Sequence, residues 1–218
     1  MAVTGAAMIP LVGGHLAIDL VNTVSPRLPF PGEDFLATPE DLLVWAGRTG
    51  ILGQAEAASV AVAWRTSDAA AARALAAVKE TRESLAAVLS TLVSGTPQEA
   101  VHIALQHLAL GWATAAARSR LVLSGERGVA AHRVVASPAE LLIPDRIADA
   151  AVQLLCDVDL STLRMCPPEL GGCGWLFIDR TRNGSRRWCT VDVCGNEARS
   201  RRQAERRRLR REAPQPVG

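Results

Sequence analysis

The chain has 218 residues, 49% of them hydrophobic but only 4% aromatic, and it lacks tyrosine. A core must therefore come mainly from Ala, Leu and Val, which favours packed helices. The length allows one domain or two. No apolar run approaches the roughly 20 residues of a membrane-spanning helix, and the first residues lack the basic start of a secretory signal. The expected location is cytoplasmic, where thiols stay reduced and bind metal rather than pair. The formal net charge of +2 hides an asymmetry. Residues 1–163 carry 11 Lys+Arg against 16 Asp+Glu, a balance of −5, while residues 164–218 carry 13 against 6, a balance of +7. An acidic body followed by a basic module is implied.

The first informative segment is Gly13-Gly14-His15-Leu16-Ala17-Ile18-Asp19-Leu20-Val21-Asn22-Thr23. Its periodicity fits either a short strand or one and a half helical turns. On a helix, His15, Asp19 and Asn22 share one face, where they would form an effector pocket; more simply, Asp19 and Asn22 cap or tie down the following loop by bonding backbone amides. Pro26, Pro29, Pro31 and Gly32 mark that loop. Thr38-Pro39-Glu40-Asp41 starts a helix with a cap, a proline and acids at its positive end. Leu42, Leu43, Trp45 and Ala46 are its core face, and Gly50 ends it. A helix over 53–65 follows, then a long one from Ser67-Asp68 to Ser94, closed by Gly95. Thr96-Pro97-Gln98-Glu99 opens another that reaches Arg118. His102 and His107, five apart on it, are poor joint ligands, and Trp112 is a core or interface plug.

Residues 121–135 read as a β-hairpin around Ser124–Gly128. Ser137-Pro138-Ala139-Glu140 starts a further helix with Glu140 as the reciprocal cap and a break near Pro144. Cys156, behind Leu154-Leu155, is expected in the core. Residues 159–163 form a short connection. No nucleotide-binding glycine loop, catalytic triad or His-Glu-x-x-His occurs in this body, and no enzymatic activity is expected.

The remaining four cysteines, Cys166, Cys173, Cys189 and Cys194, have the pattern C-x6-C-x15-C-x4-C. Two short pairs separated by a hairpin's length of chain suit tetrahedral zinc, since each pair chelates one side of the ion. Four thiolates would also hold an iron–sulfur centre, but the intervening span favours zinc. Trp175–Asp179 is β-forming, Asn183-Gly184 signals a tight turn, and Arg186–Trp188 would return as the second strand. Asp192 would cap a helix whose first turn holds Cys194. Trp175, Phe177 and Trp188 would shield the sulfurs. Arg199, Arg201, Arg202, Arg206, Arg207, Arg208, Arg210 and Arg211 surround a last helix that is polar on nearly every side. With Arg180, Arg182, Arg186 and Arg187 they suit a polyanion, since guanidinium groups fork onto phosphate.

The run from Cys173 through Cys-Gly-Trp-Leu-Phe-Ile-Asp-Arg-Thr-Arg-Asn-Gly-Ser-Arg-Arg-Trp-Cys189 to Cys194-Gly195-Asn196 resembles the CGNR zinc-finger family. The segment at 13–23 is similar to the start of the helical domain that precedes this finger in putative stress-induced transcription regulators of bacteria. The resemblance implies one structural zinc on Cys166, Cys173, Cys189 and Cys194, and a DNA-binding role. The chain departs from the pattern at two places. Six residues, not four, separate the first cysteines, and Glu197 stands where the family has arginine, four residues before Arg201.

The expected architecture is mainly α with a small β-hairpin. A helical regulatory or dimerisation domain spans 1–160, a treble-clef-like zinc finger with a basic helix spans 161–212, and a disordered tail spans 213–218. The expected function is zinc-dependent DNA-binding regulation, with Arg182, Arg186, Arg187, Arg199, Arg201, Arg202, Arg206 and Arg207 on DNA. A homodimer and a small effector are further expected partners. The alternative is a protein-interaction or thiol redox-sensing module.

Overall fold

A computed structural model describes residues 5–28, 32–95 and 100–212, apart from the side chains of residues 100 and 209–212. The start signal at 96–99, Pro29, Pro31 and the tail at 213–218 lie outside the described residues. The first informative segment is a helix, α1 (Leu16–Val21), capped by His15, whose Nδ1 accepts from the Ala17 amide. Two short strands, β1 (Val24–Ser25) and β2 (Glu33–Asp34), pair antiparallel behind it.

α2 (Pro39–Arg48) begins with the expected cap, and Thr38 and Asp41 exchange hydrogen bonds between side chain and backbone. Leu42, Trp45 and Ala46 are buried on its inner face. α3 (Gln54–Thr66) and α4 (Asp68–Ser94) follow, and Gly95 ends α4 in the left-handed region at φ 66°, which glycine enters without steric cost. α5 (Ala100–Ala117) and α6 (Leu142–Asp157) pack against α4, so the long helix is the spine of the body. Between them, β3 (Ser119–Leu123) and β4 (Ala131–Val135) form the expected hairpin, with Leu121 opposite Arg133.

Three expectations in this body are corrected. Pro144 does not break α6, because it falls in the first turn, where its missing N–H would have had no intrahelical partner. Glu140 does not cap that helix; a single 3₁₀ turn, Ala139–Leu141, leads into it, and the Ser137 hydroxyl bonds Asp145 instead. Cys156 is exposed rather than buried, on the outer side of α6.

The larger surprise is in the finger. β6 (Leu176–Ile178) does not pair with residues 186–188. Its partner is β5 (Leu163–Met165), immediately before the first cysteine, in the register Leu163 with Ile178 and Met165 with Leu176. The segment after β6 is a loop organised by Asp179, which accepts from the Thr181 amide and hydroxyl through one oxygen and from the Arg186 amide through the other. Those bonds satisfy the groups that a second strand would have needed for its ladder. α7 (Asn196–Glu212) closes the fold.

Body and finger share their core. One buried cluster contains Leu20, Leu42 and Trp45 together with Trp175, Phe177, Cys166, Cys189 and Cys194; a second joins Ile18, Leu85, Leu89 and Leu154 to Leu163, Leu176 and Ile178.

Candidate metal centre

The first cysteine pair sits in a tight loop that continues the β5–β6 ladder. The Cys166 amide donates to the Trp175 carbonyl at 2.8 Å, and the Gly174 amide returns to the Cys166 carbonyl at 3.1 Å. The two extra residues of this loop are absorbed by a 3₁₀ turn, Pro168–Leu170. Glycine is required where the chain passes the sulfur, since a Cβ on Gly172 would lie 2.8 Å from Cys166 Sγ.

The second pair comes from the segment that leads into α7. Asp192 does not cap that helix. It lies inside a wide turn, Val191–Gly195, closed by the Gly195 amide donating to the Thr190 carbonyl five residues back. Turns of this i to i+5 type recur at functional sites, and this one swings Cys194 inward. Trp175, Phe177 and Trp188 pack around the sulfurs as expected.

The four Sγ atoms all lie within 4.8 Å of one another. Cys173 and Cys189 are 3.4 Å apart, and Cys189 and Cys194 3.6 Å. Zinc–sulfur bonds of about 2.3 Å in tetrahedral geometry place sulfurs roughly 3.8 Å apart. The donor set, its spacing and its burial therefore fit one zinc ion, held by Cys166, Cys173, Cys189 and Cys194. Hydrogen bonds from Cys173, Cys189 and Cys194 drive the Cys166 thiol far below its ordinary range, and the same contacts, Cys166 first, push Cys173 far above it. Four negative sulfurs cannot coexist at this distance without a cation, so metal and full deprotonation go together.

Asn22 locks the finger to the body. Its side-chain oxygen accepts from the Leu176 amide at 2.9 Å, and its nitrogen donates to the Leu176 carbonyl at 2.8 Å. The Ile178 amide donates to Gly13, the Arg27 amide to Cys173, and Trp175 Nε1 to Val24. Asp19 accepts from the Gly13 amide, and burial raises its carboxyl to about 6. Burial, with Arg180 nearby, lowers His15. His15, Asp19 and Asn22 are thus engaged by backbone, but that of α1, of Gly13 and of the finger strand rather than of the loop that follows α1. None of them lines the cleft of about 480 Å³ beside the cysteines, where Leu28, Phe35, Trp175 and Val193 face Cys173, Cys189 and Cys194.

The arginines divide by what holds them. Arg186 is not a surface cation: its guanidinium donates to the carbonyls of Val12, Trp188 and Cys189 and covers the Phe177 ring at 4.2 Å. Sequence could not separate it from exposed Arg182 and Arg187, since nothing in a charge run marks the member that is held by carbonyls. Arg199, Arg201, Arg202, Arg206 and Arg207 stand exposed along α7. Glu197 meets Arg201 at 3.7 Å, the pairing their spacing suggested, and Arg201 reaches the Gly171 carbonyl at 3.4 Å. It is thus Arg201, with Glu197 beside it, that links the base of the helix to the cysteine loop.

No described helix is long and apolar enough to cross a membrane. Residues 14–158 match the family model ABATE, described as putative stress-induced transcription regulator. Residues 163–207 match that of the CGNR zinc finger. No curated protein matches the chain.

Proposed function

Given that the chain belongs to the ABATE family of putative stress-induced transcription regulators and carries a CGNR zinc finger, we propose that it is a cytoplasmic regulator that docks on DNA through α7. The observation that carries this reading is the exposed arginine face of α7, which grows out of the turn holding Cys194. In this reading zinc has no catalytic part. Its four thiolates close the coordination sphere, leaving no position for a reactive water, and the ion fixes the direction in which the helix leaves the core. The arginines neutralise phosphates and release counterions, giving affinity that is independent of sequence and falls steeply with salt. The acidic body supplies regulation, keeping its own negative surface away from the duplex.

Fluorescence anisotropy of a labelled mixed-sequence duplex, titrated with zinc-loaded and then chelator-stripped protein, tests the reading. Binding that the chelator abolishes and zinc restores supports it. Absence of binding by the zinc-loaded protein at low salt would sink it.

A second reading rests on the cleft, which leads to Cys173, half-exposed and 3.4 Å from Cys189. A small peroxide entering there would take two electrons from these two thiolates. They would join as a disulfide, the peroxide would leave as water after taking up two protons, and zinc would be released. A chromophoric zinc chelator would then register about one equivalent of metal on mild peroxide treatment. Retention of the metal under those conditions would exclude a sensing role.

A further inference from the structure

α5 packs its inner side, Ala104, Leu108 and Ala115, against α4 and α6. Its outer side is not what a solvated helix presents. The whole helix, Ala-Val-His-Ile-Ala-Leu-Gln-His-Leu-Ala-Leu-Gly-Trp-Ala-Thr-Ala-Ala-Ala, contains no aspartate, glutamate, lysine or arginine. Surface helices of soluble domains normally place charges opposite the core. Here the outer positions are largely apolar, with Ile103 58% exposed, Leu105 41% and Leu110 66%, and the polar members His102, Gln106 and His107 carry no fixed charge. Spacings of three and four bring Ile103, Gln106, Leu110, Ala113 and Ala117 onto one strip, apolar but for Gln106, flanked by Leu105 and Ala109.

The β3–β4 hairpin extends this surface. The Ser119 hydroxyl donates to the Ala115 carbonyl, and Arg133 lies over the Trp112 ring, so the hairpin turns back along α5. On the strand that faces this way, Leu121 is 77% exposed and Leu123 86% exposed, among the most exposed large apolar side chains of the described residues. Together these five side chains leave on the order of 600 Å² of apolar surface in water, the upper end of what monomers carry.

We infer that this face is the contact between two copies of the chain, with α5 of one protomer laid against α5 of its partner across a two-fold axis and each hairpin closing over the other's helix. Three properties select a second copy over another protein or a membrane. A helix face without aspartate, glutamate, lysine or arginine is self-complementary, which a two-fold contact requires because the same patch meets itself. Doubled by symmetry, the area is on the order of 1,200 Å², the lower bound of specific stable interfaces. The small side chains at 113 and 117 let one end of the two helix backbones approach closely, with the larger Ile103 and Leu110 packing along the rest of the strip. The dense run of basic groups that an acidic membrane would need lies instead on α7, at the finger. The inference does not depend on DNA binding, and the oligomeric state is read without DNA.

Sedimentation velocity on the full zinc-loaded chain over a concentration series tests it, alongside Leu110→Glu and Leu123→Glu. Both residues are exposed in the single chain, so both variants are expected to keep the wild-type far-UV circular dichroism and zinc content. The expected result is a dimer whose dissociation constant rises at least about a hundredfold in each variant, because the contact would bury two carboxylates without a partner. A wild-type protein that stays monomeric at every concentration overturns the inference. So does a dimer that persists undiminished in both variants.

Discussion

Two hydrogen bonds from one amide, Asn22, hold the last strand of the finger to the first helix of the body. Replacing Asn22 with leucine leaves the buried amide and carbonyl of Leu176 unpaired, at a cost of about 2–4 kcal/mol. Urea denaturation of the zinc-loaded protein reads that loss directly, and a change within error of zero would mean that the seam is held elsewhere. Arg186 and Arg187 make a sharper pair, adjacent in sequence and opposite in role. Arg186→Ala removes three carbonyl contacts and the cover over Phe177, so thermal stability and zinc retention are expected to fall. Arg187→Ala is expected to leave both unchanged and to reduce the salt slope of DNA binding by about one. Equal effects of the two on stability would contradict the assignment. Asp19 gives a pH signature. Its carboxyl titrates at about 6 in the folded chain because burial disfavours its charge, against an ordinary value of 3.8. The folded state therefore holds the proton more tightly, and stability falls as pH rises from about 4 through about 6, by on the order of 3 kcal/mol for this group. Denaturation curves of wild type and Asp19→Asn across this window should converge at the acid end and separate toward neutrality, with the variant the more stable.

Helices of the body were largely readable because their ends carry local chemistry. The Thr38 cap, the Ser67 cap and the Gly95 stop each act within one turn, so the bounds of α2 and α4 follow from neighbouring residues. The finger's strands were not readable in the same way. Three-residue strands have no usable period, and the partner of Leu176–Ile178 is decided by the cysteine loop that β5 and β6 enclose. Asn183-Gly184 does mark a turn, with Gly184 at φ 57°, but Asp179 captures the amides of the returning segment before a ladder forms. The four metal ligands were legible because zinc itself imposes a residue type and a spacing, whereas the cleft beside them and the bracing role of Arg186 depend on contacts far apart in sequence. Ion pairs between elements were likewise invisible. Arg82, on α4, is buried against Asp34 of β2 at 2.7 Å. Burial opposes ionisation of Asp34, but Arg82 and then Lys79 overcome it and hold the carboxyl at about 2. A hydrogen bond from Arg146 of α6 lowers Glu56 of α3 to about 2 as well. Both acids bind protons more readily once unfolded, so their support is complete only above their ordinary values of 3.8 for Asp34 and 4.5 for Glu56, and is lost as pH falls toward 2. Asp34→Asn should flatten the acid limb of a stability profile between those values, and an unchanged limb would show that the pair adds nothing.

At the scale of the whole molecule, the acidic body and the basic finger are distinct in charge yet continuous in packing. Cys166, Cys189 and Cys194 belong to the same apolar cluster as Leu42 and Trp45 of α2, so the metal holds together part of the body's core. Differential scanning calorimetry should accordingly give one cooperative transition, shifted downward by a strong chelator; a separate finger transition with the body unmoved would show that the two units fold independently. The same continuity gives α7 its proposed role, since a helix anchored at Cys194 and braced by Arg201 on the Gly171 carbonyl presents its arginines in a fixed direction. The most direct test of that account is the salt dependence of duplex binding, measured by anisotropy on the zinc-loaded protein and on a variant with Arg199, Arg202, Arg206 and Arg207 changed to glutamine. The account predicts a steep wild-type dependence and a loss of up to about 4 from the slope in the variant, with zinc content unchanged. An identical slope for the two proteins would place the DNA contact, if there is one, somewhere other than α7.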